Sequence, residues 1–241
     1  MIEVEGLSKH YGSRRAVDDV TFTARPGRVT GFLGPNGAGK STTLRILLGL
    51  DSATGGKALI AGQRYRDLVH PLRTVGALVD GAGPVPERRA IDDLSWIARS
   101  NRIPHQRVRE VLDAVGLADA AKQRVKKFSL GMKQRLGIAR ALLGDPEILV
   151  LDEPVNGLDP DGIRWVRHFL RAYAASGRTV LLSSHLMAET ADTVDDVVII
   201  NDGRIVTRGS LAEVTAGHAS LETAFFALTG DRNGSWSGQR C

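Results

Sequence analysis

Eight consecutive residues, Gly34-Pro35-Asn36-Gly37-Ala38-Gly39-Lys40-Ser41, fit the pattern G-x-x-x-x-G-K-[ST] at every fixed position. Glycines let backbone N–H groups turn inward around a polyphosphate, and the start of a following helix adds partial positive charge. Lys40 brings a full charge to the β- and γ-phosphates of a nucleoside triphosphate, and the Ser41 hydroxyl suits a Mg²⁺ ion. Far downstream, the apolar run Ile148-Leu149-Val150-Leu151 ends in two acids, Asp152 and Glu153. Adjacent carboxylates can divide the work: Asp152 holds Mg²⁺, directly or through water, and Glu153 orients or deprotonates the attacking water. His185 closes the strand-like run Thr179 to Ser184, in a position to bond the γ-phosphate and keep Glu153 and the water in register. The other histidines (His10, His70, His105, His168 and His218) show no such placement. Tyr11 offers a ring that can stack on adenine, against the plainer reading of a surface tyrosine. A glycine-rich turn that happens to end in Lys-Ser is the rival for the first segment, and the three later features argue against it.

Such residues need strands to carry them. Ile2 to Leu7, Val20 to Ala24 and Val29 to Leu33 read as short strands separated by Gly, Pro and Asp. Leu44, Leu47 and Leu48 give Thr42 to Leu50 a helical spacing that ends at Gly49. Thr74 to Val79 is strand-like, and Gly81 to Pro86 reads as a loop. From Ile91 to about Ala121 the apolar residues repeat at helix spacing, which predicts a helical insert. Lys133 to Leu143 and Ile163 to Ala175 read as helices; Ile148 to Leu151, Thr179 to Ser183 and Val197 to Ile200 read as strands. Asp202-Gly203 makes a tight turn into Ile205 to Thr207, the strongest hairpin signal in the chain. Alternating helices and short apolar strands predict a parallel sheet covered on both faces. Ligands on such sheets bind beyond the C-terminal strand ends, and the chemically loaded residues do follow strands.

With 241 residues, 42% hydrophobic and 24% charged, the chain has the composition of a globular protein with a sizeable core. No window approaches the ~18 apolar residues of a membrane span, and the first residues lack the pattern of a secretory signal. The single cysteine, Cys241, excludes a disulfide framework and a cysteine-based zinc site. These features predict a cytoplasmic location. The formal charge of +5 is mild, but Arg99 to Arg135 holds ten basic and only three acidic residues. That bias reads either as a face toward anionic headgroups or nucleic acid, or as solvated helix surfaces. The tail Asp231 to Cys241 is polar and expected to fray.

Phe128-Ser129-Leu130-Gly131-Met132-Lys133-Gln134-Arg135 resembles the signature segment of ATP-binding-cassette (ABC) proteins, usually written L-S-G-G-Q. With Gly34 to Ser41, Ile148 to Glu153, Asn156-Gly157-Leu158-Asp159 and His185, it presents that family's motifs in the family's order, from about Ile2 to Gly230. The resemblance implies an α/β P-loop NTPase with a parallel-sheet core, an N-terminal antiparallel β part and a helical signature subdomain at about 84–134, forming one domain over 1–230. It implies an ATP hydrolase that uses Mg²⁺ and powers a separate integral membrane permease from the cytoplasmic side of the membrane. The nucleotide contacts it implies are Tyr11, Gly34, Pro35, Asn36, Gly37, Ala38, Gly39, Lys40, Ser41 and Thr42. Two ATPase subunits, identical or related, would sandwich two ATP molecules head to tail. Ser129 and Gly131 of one would touch the γ-phosphate held by Lys40 of the other, with Asp159 at the same seam. Ser129 offers a hydroxyl and Gly131 a close backbone approach at a helix start, which fits that role. The Leu221 to Gly230 ending resembles ATPase subunits of bacterial drug or antibiotic exporters.

The chain departs from the family pattern at four places, one of them Asn156-Gly157-Leu158-Asp159, which keeps the terminal Asp but not the commoner Ser-Ala start. Leu130 replaces the usual first signature glycine and Met132 the usual Gln. Asp80 stands where the family has a Gln that touches Mg²⁺, so an oxygen remains available to the metal. The alternative reading is a soluble ABC-type ATPase acting on nucleic acid or ribosomes. One P-loop and no sustained heptads argue against it, so no nucleic-acid partner is expected.

Overall fold

The computed structural model describes residues 1–79 and 83–230. Asp80, the tail 231–241 and part of the expected 81–86 loop lie outside the described residues. In chain order the elements are β1 (Ile2–Tyr11), β2 (Arg14–Ala24), β3 (Val29–Leu33), α1 (Lys40–Leu47), β4 (Gly55–Ile60), α2 (Pro71–Thr74) and β5 (Val75–Leu78). There follow α3 (Ala90–Ser100), α4 (His105–Ala114), α5 (Leu130–Leu142), β6 (Ile148–Asp152), α6 (Pro160–Ala175) and β7 (Thr179–Ser184). The chain continues through α7 (Met187–Ala191), β8 (Asp196–Asn201), β9 (Arg204–Ser210), α8 (Leu211–Thr215) and α9 (Leu221–Gly230).

Six strands form a sheet in the order β5-β6-β7-β3-β8-β9, parallel except for β9. Its inner strands read as unbroken apolar runs because helices and a second sheet cover both faces; all five residues of β3 are buried. The parallel registers align Leu33 with Ser184 and Asp152 with Ser183. The loops after β3, β6 and β7 therefore open at one end of the sheet. This is the arrangement that brings residues 34–41, 152–153 and 185 together.

The second sheet, β2-β1-β4, is antiparallel. Phe22 on β2 stacks on Phe32 on β3 with ring centroids 5.0 Å apart, joining the two sheets. Leu44, Leu47 and Leu48 of the α1 segment are buried in the same apolar cluster as these rings. On the opposite face, one cluster runs from Leu149, Leu151 and Val180 into the helical insert through Leu94, Val108 and Leu136. Helix α5 begins in that insert and ends against β5. A Cβ on Gly76 would lie 2.0 Å from the Ala141 carbonyl oxygen.

Most expected elements appear within a few residues of their sequence positions. The first hairpin is longer than its apolar residues indicate, because β1 and β2 extend through polar residues to a turn at 12–13. Strand β4 has no counterpart among the expectations. Gly55-Gly56-Lys57 conceals the signal, and β4 lies at a sheet edge with only Ala58 and Ile60 buried. The Asp202-Gly203 turn joins β8 to β9 as expected, with φ 47° and 79° at the two residues, as a tight hairpin turn requires.

Candidate active site

A cavity of about 410 Å³ opens at the C-terminal end of the parallel sheet. Its lining includes Tyr11, Asn36, Gly37, Gly39, Lys40, Ser41, Thr42, Asp152, Glu153 and His185. The loop that forms its floor depends on glycine at two points. A Cβ on Gly34 would lie 2.2 Å from the Ile200 carbonyl oxygen. Gly39 has φ 107°, and a Cβ there would lie 2.6 Å from the Ala16 carbonyl oxygen. No side chain caps the start of α1. The first N–H groups of that helix thus face the cavity without an intrahelical acceptor, which suits an anion.

Lys40 is buried, and its ammonium is held within the loop. Nζ donates to the Gly34 carbonyl at 2.7 Å and to the Pro35 carbonyl at 3.2 Å. It also stands 3.5 Å from Glu153 Oε1. Among the described residues its partners are two neutral carbonyls and one carboxylate.

Asp152 is the last residue of β6, and its Oδ1 accepts a hydrogen bond from Ser183 Oγ on β7. Glu153 follows with φ 50°. Its N–H donates to the Ser183 carbonyl (3.2 Å) and to Ser183 Oγ (3.1 Å). Its other carboxylate oxygen lies 2.9 Å from His185 Nδ1 and accepts weakly from the His185 N–H at 3.4 Å. The Nδ1 approach is poorly aligned for a hydrogen bond, so the contact is one of proximity. The oxygen donors Ser41 and Asp152 match the chemistry of Mg²⁺, which takes one or two protein ligands and completes its shell with phosphate and water.

Tyr11 projects its ring at the cavity mouth, 47% exposed. The hydroxyl donates to Asp51 Oδ2, and this bond raises the tyrosine pKa. Asp51 is held at about 2, chiefly by its hydrogen bond from Lys9 and then by that from Tyr11.

Ser129, Gly131 and Asp159 do not line this cavity. Ser129 caps α5, its Oγ accepting from the Met132 N–H at 3.2 Å. Asp159 caps α6, accepting from the Gly162 N–H at 2.8 Å. The two caps adjoin, because Leu130 lies across Gly157 and Leu158 lies near Gly131. Met132 packs against the core, which accounts for an apolar residue there, whereas Leu130 is 55% exposed.

Sequence reasoning missed Ser183, which touches both acids, and Arg14 and Ala16, which line the cavity with Asn156, a motif residue given no role of its own. Ser183 sits two residues before His185, but its partnership with Asp152 appears only once β6 and β7 are in register.

The ABC transporter family profile matches residues 17–156. The bacitracin transport ATP-binding protein BcrA of Bacillus licheniformis is 43% identical over 209 residues, covering 86% of this chain and 68% of that protein. The lantibiotic transport ATP-binding protein SrtF of Streptococcus pyogenes is 36% identical over 227 residues, covering 93% and 96%. A solved ATP-binding subunit of an ABC transporter superposes with a TM-score of 0.83 at 30% identity, covering 95% of this chain and 99% of that one. A lysine-bearing phosphate loop, two strand-end acids and a histidine around one cavity agree with these likenesses. The chain belongs to the ABC transporter family, as an ATP-binding subunit that hydrolyses ATP.

Proposed function

We propose that the chain powers export of an antibiotic or similar small molecule through a separate membrane permease, working from the cytoplasmic face of the membrane as one 1–230 domain. Among the described residues no helix is long and apolar enough to cross a membrane. The export reading draws on the bacitracin and lantibiotic relatives. The convergence of Lys40, Asp152, Glu153 and His185 on one cavity carries the catalytic assignment.

In this mechanism adenine stacks on Tyr11 and the phosphates enter the loop from Gly34 to Thr42. Lys40 leaves the Gly34 and Pro35 carbonyls for the β- and γ-phosphates. Its departure also removes the cation beside Glu153 Oε1, leaving that carboxylate free to accept a proton. Glu153 takes a proton from water as the water oxygen bonds to the γ-phosphorus. The bond from that phosphorus to the β–γ bridging oxygen breaks, giving ADP and phosphate. His185 steadies the second Glu153 oxygen and directs its other ring nitrogen to the γ-phosphate. Ser41 and Asp152, with Asp80 as a further candidate, would hold Mg²⁺, which would neutralise charge on the phosphate oxygens.

The cavity leaves Ser129, Gly131 and Asp159 outside. A second ATPase subunit placed head to tail would bring its Ser129 and Gly131 to the γ-phosphate of the first. Binding of ATP closes the pair and hydrolysis opens it. Glu153→Gln is expected to retain ATP binding, lower turnover by about 10²-fold or more, and accumulate as an ATP-bound dimer in gel filtration. Wild-type turnover by this variant would remove Glu153 from the base role. Co-purification of an integral membrane protein tests the permease assignment.

A further inference from the structure

The residues around Tyr11 form a tether that the ATPase mechanism does not use. Lys9 and Tyr11 lie two apart on β1, so their side chains leave the same face of the strand. Both reach Asp51, three residues beyond the Leu48 cap of α1. Tyr11 Oη donates to Asp51 Oδ2. Lys9 Nζ donates to Asp51 Oδ1 at 2.7 Å and to the Ser52 carbonyl at 2.6 Å. The Ser52 N–H donates to Asp51 Oδ1 at 2.7 Å. The same Lys9 ammonium stands 4.8 Å from the centroid of the Tyr11 ring. The backbone reinforces the junction, with the Thr54 N–H bonded to the Ser8 carbonyl at 2.8 Å and the His10 N–H to Thr54 Oγ1 at 3.0 Å.

A half-exposed tyrosine ring is ordinarily free to change rotamer, and a ligand that stacks on it must overcome that freedom. Here the hydroxyl is anchored to a carboxylate, which is itself fixed by a lysine and a backbone amide. The anchor lies on the segment that leaves α1, the helix whose first residues form the phosphate loop. The Leu50 N–H bonds the Arg45 carbonyl at 2.8 Å, tying that segment to the helix end. The ring is thereby tied to the segment that leaves α1, with a cation over it and 47% of the residue exposed.

We infer that Asp51, oriented by Lys9, is a positioning residue that pre-sets the Tyr11 ring for the adenine of ATP and so contributes to base affinity without touching the nucleotide. This rests on the reading of Tyr11 as the adenine-stacking residue.

Calorimetric titration of the full chain with ATP and with inorganic tripolyphosphate tests it. Asp51→Ala is expected to weaken ATP binding by about five- to tenfold and to leave tripolyphosphate binding unchanged. Tyr11→Phe should weaken ATP binding to a similar degree, and the double variant no further than either single change, because both delete the bond between Tyr11 and Asp51. Tyr11→Ala should weaken it more than either. Additive losses in the double variant, an equal loss for tripolyphosphate, or an unchanged ATP affinity in Asp51→Ala would each overturn the positioning role. Should Tyr11→Ala bind ATP as the parent does, the stacking reading falls, and this inference with it. Asp51→Asn, which keeps the volume and an acceptor for the tyrosine, checks that any loss in the alanine variant is not a folding defect.

Discussion

Glu153 adopts a left-handed backbone conformation, φ 50°, just past the end of β6. For a residue with a Cβ this costs roughly 1–2 kcal/mol, and such angles persist where surrounding contacts enforce them. Ser183 provides the enforcement through its carbonyl and its hydroxyl, both of which accept from the Glu153 N–H. The same hydroxyl donates to Asp152. One serine therefore fixes the two acids relative to each other. Ser183→Ala is expected to lower kcat about tenfold or more, with ATP affinity nearly unchanged, since its side-chain hydrogen bonds go to the two acid residues. Steady-state ATPase rates beside ATP titration provide the check. An unaltered kcat would mean that the strand register alone suffices to place the acids.

At the starts of α5 and α6, side chains satisfy helix ends, and one of them is also proposed to meet a second subunit. Asp159 caps α6, satisfying a helix N–H that has no intrahelical partner. The same aspartate is proposed to meet a second subunit. The two roles separate by substitution, because Asn caps as well as Asp does whereas Ala does not. Asp159→Ala should cost about 1 kcal/mol, lowering Tm by about 2–4 °C, while Asp159→Asn should leave Tm unchanged. Thermal unfolding of both variants measures the cap. A loss of turnover in Asp159→Asn at unchanged Tm would report the carboxylate's separate role at the seam. Ser129 likewise caps α5, its hydroxyl oxygen accepting from the Met132 N–H.

At the scale of the molecule, α5 links the signature segment to the catalytic sheet. Its first turn carries Gly131 and Met132, its Gln134 side chain donates to the Pro154 carbonyl at 2.8 Å, and its last turn lies on β5. One helix thus joins residues 130–132 to Pro154, the residue after Glu153, and to β5. The closeness of α5 to the sheet depends on Gly76. A valine there would place its Cβ 2.0 Å from the Ala141 carbonyl oxygen. Neither partner can yield, since both belong to regular backbone. Gly76→Val is expected to cost about 3 kcal/mol or more, read as a loss of denaturation midpoint. A midpoint equal to the parent's would show that α5 can lift from β5 without penalty.

The sequence alone marked the loop of residues 34–41, the two acids and His185 as candidates, because each belongs to a short run whose spacing suggests its own chemistry. It also determined the alternation of strands and helices, since apolar periodicity is local. Only the tertiary structure decided which residues meet. The register of β6 against β7 put Ser183 on both acids, and the fold of β1 back over the end of α1 put Asp51 on Tyr11. Strand β4 was hidden for a related reason: an edge strand rich in glycine derives its identity from its neighbour β1. Contacts between residues tens of positions apart are set by sheet order and crossing geometry, and neither leaves a periodic trace in the chain.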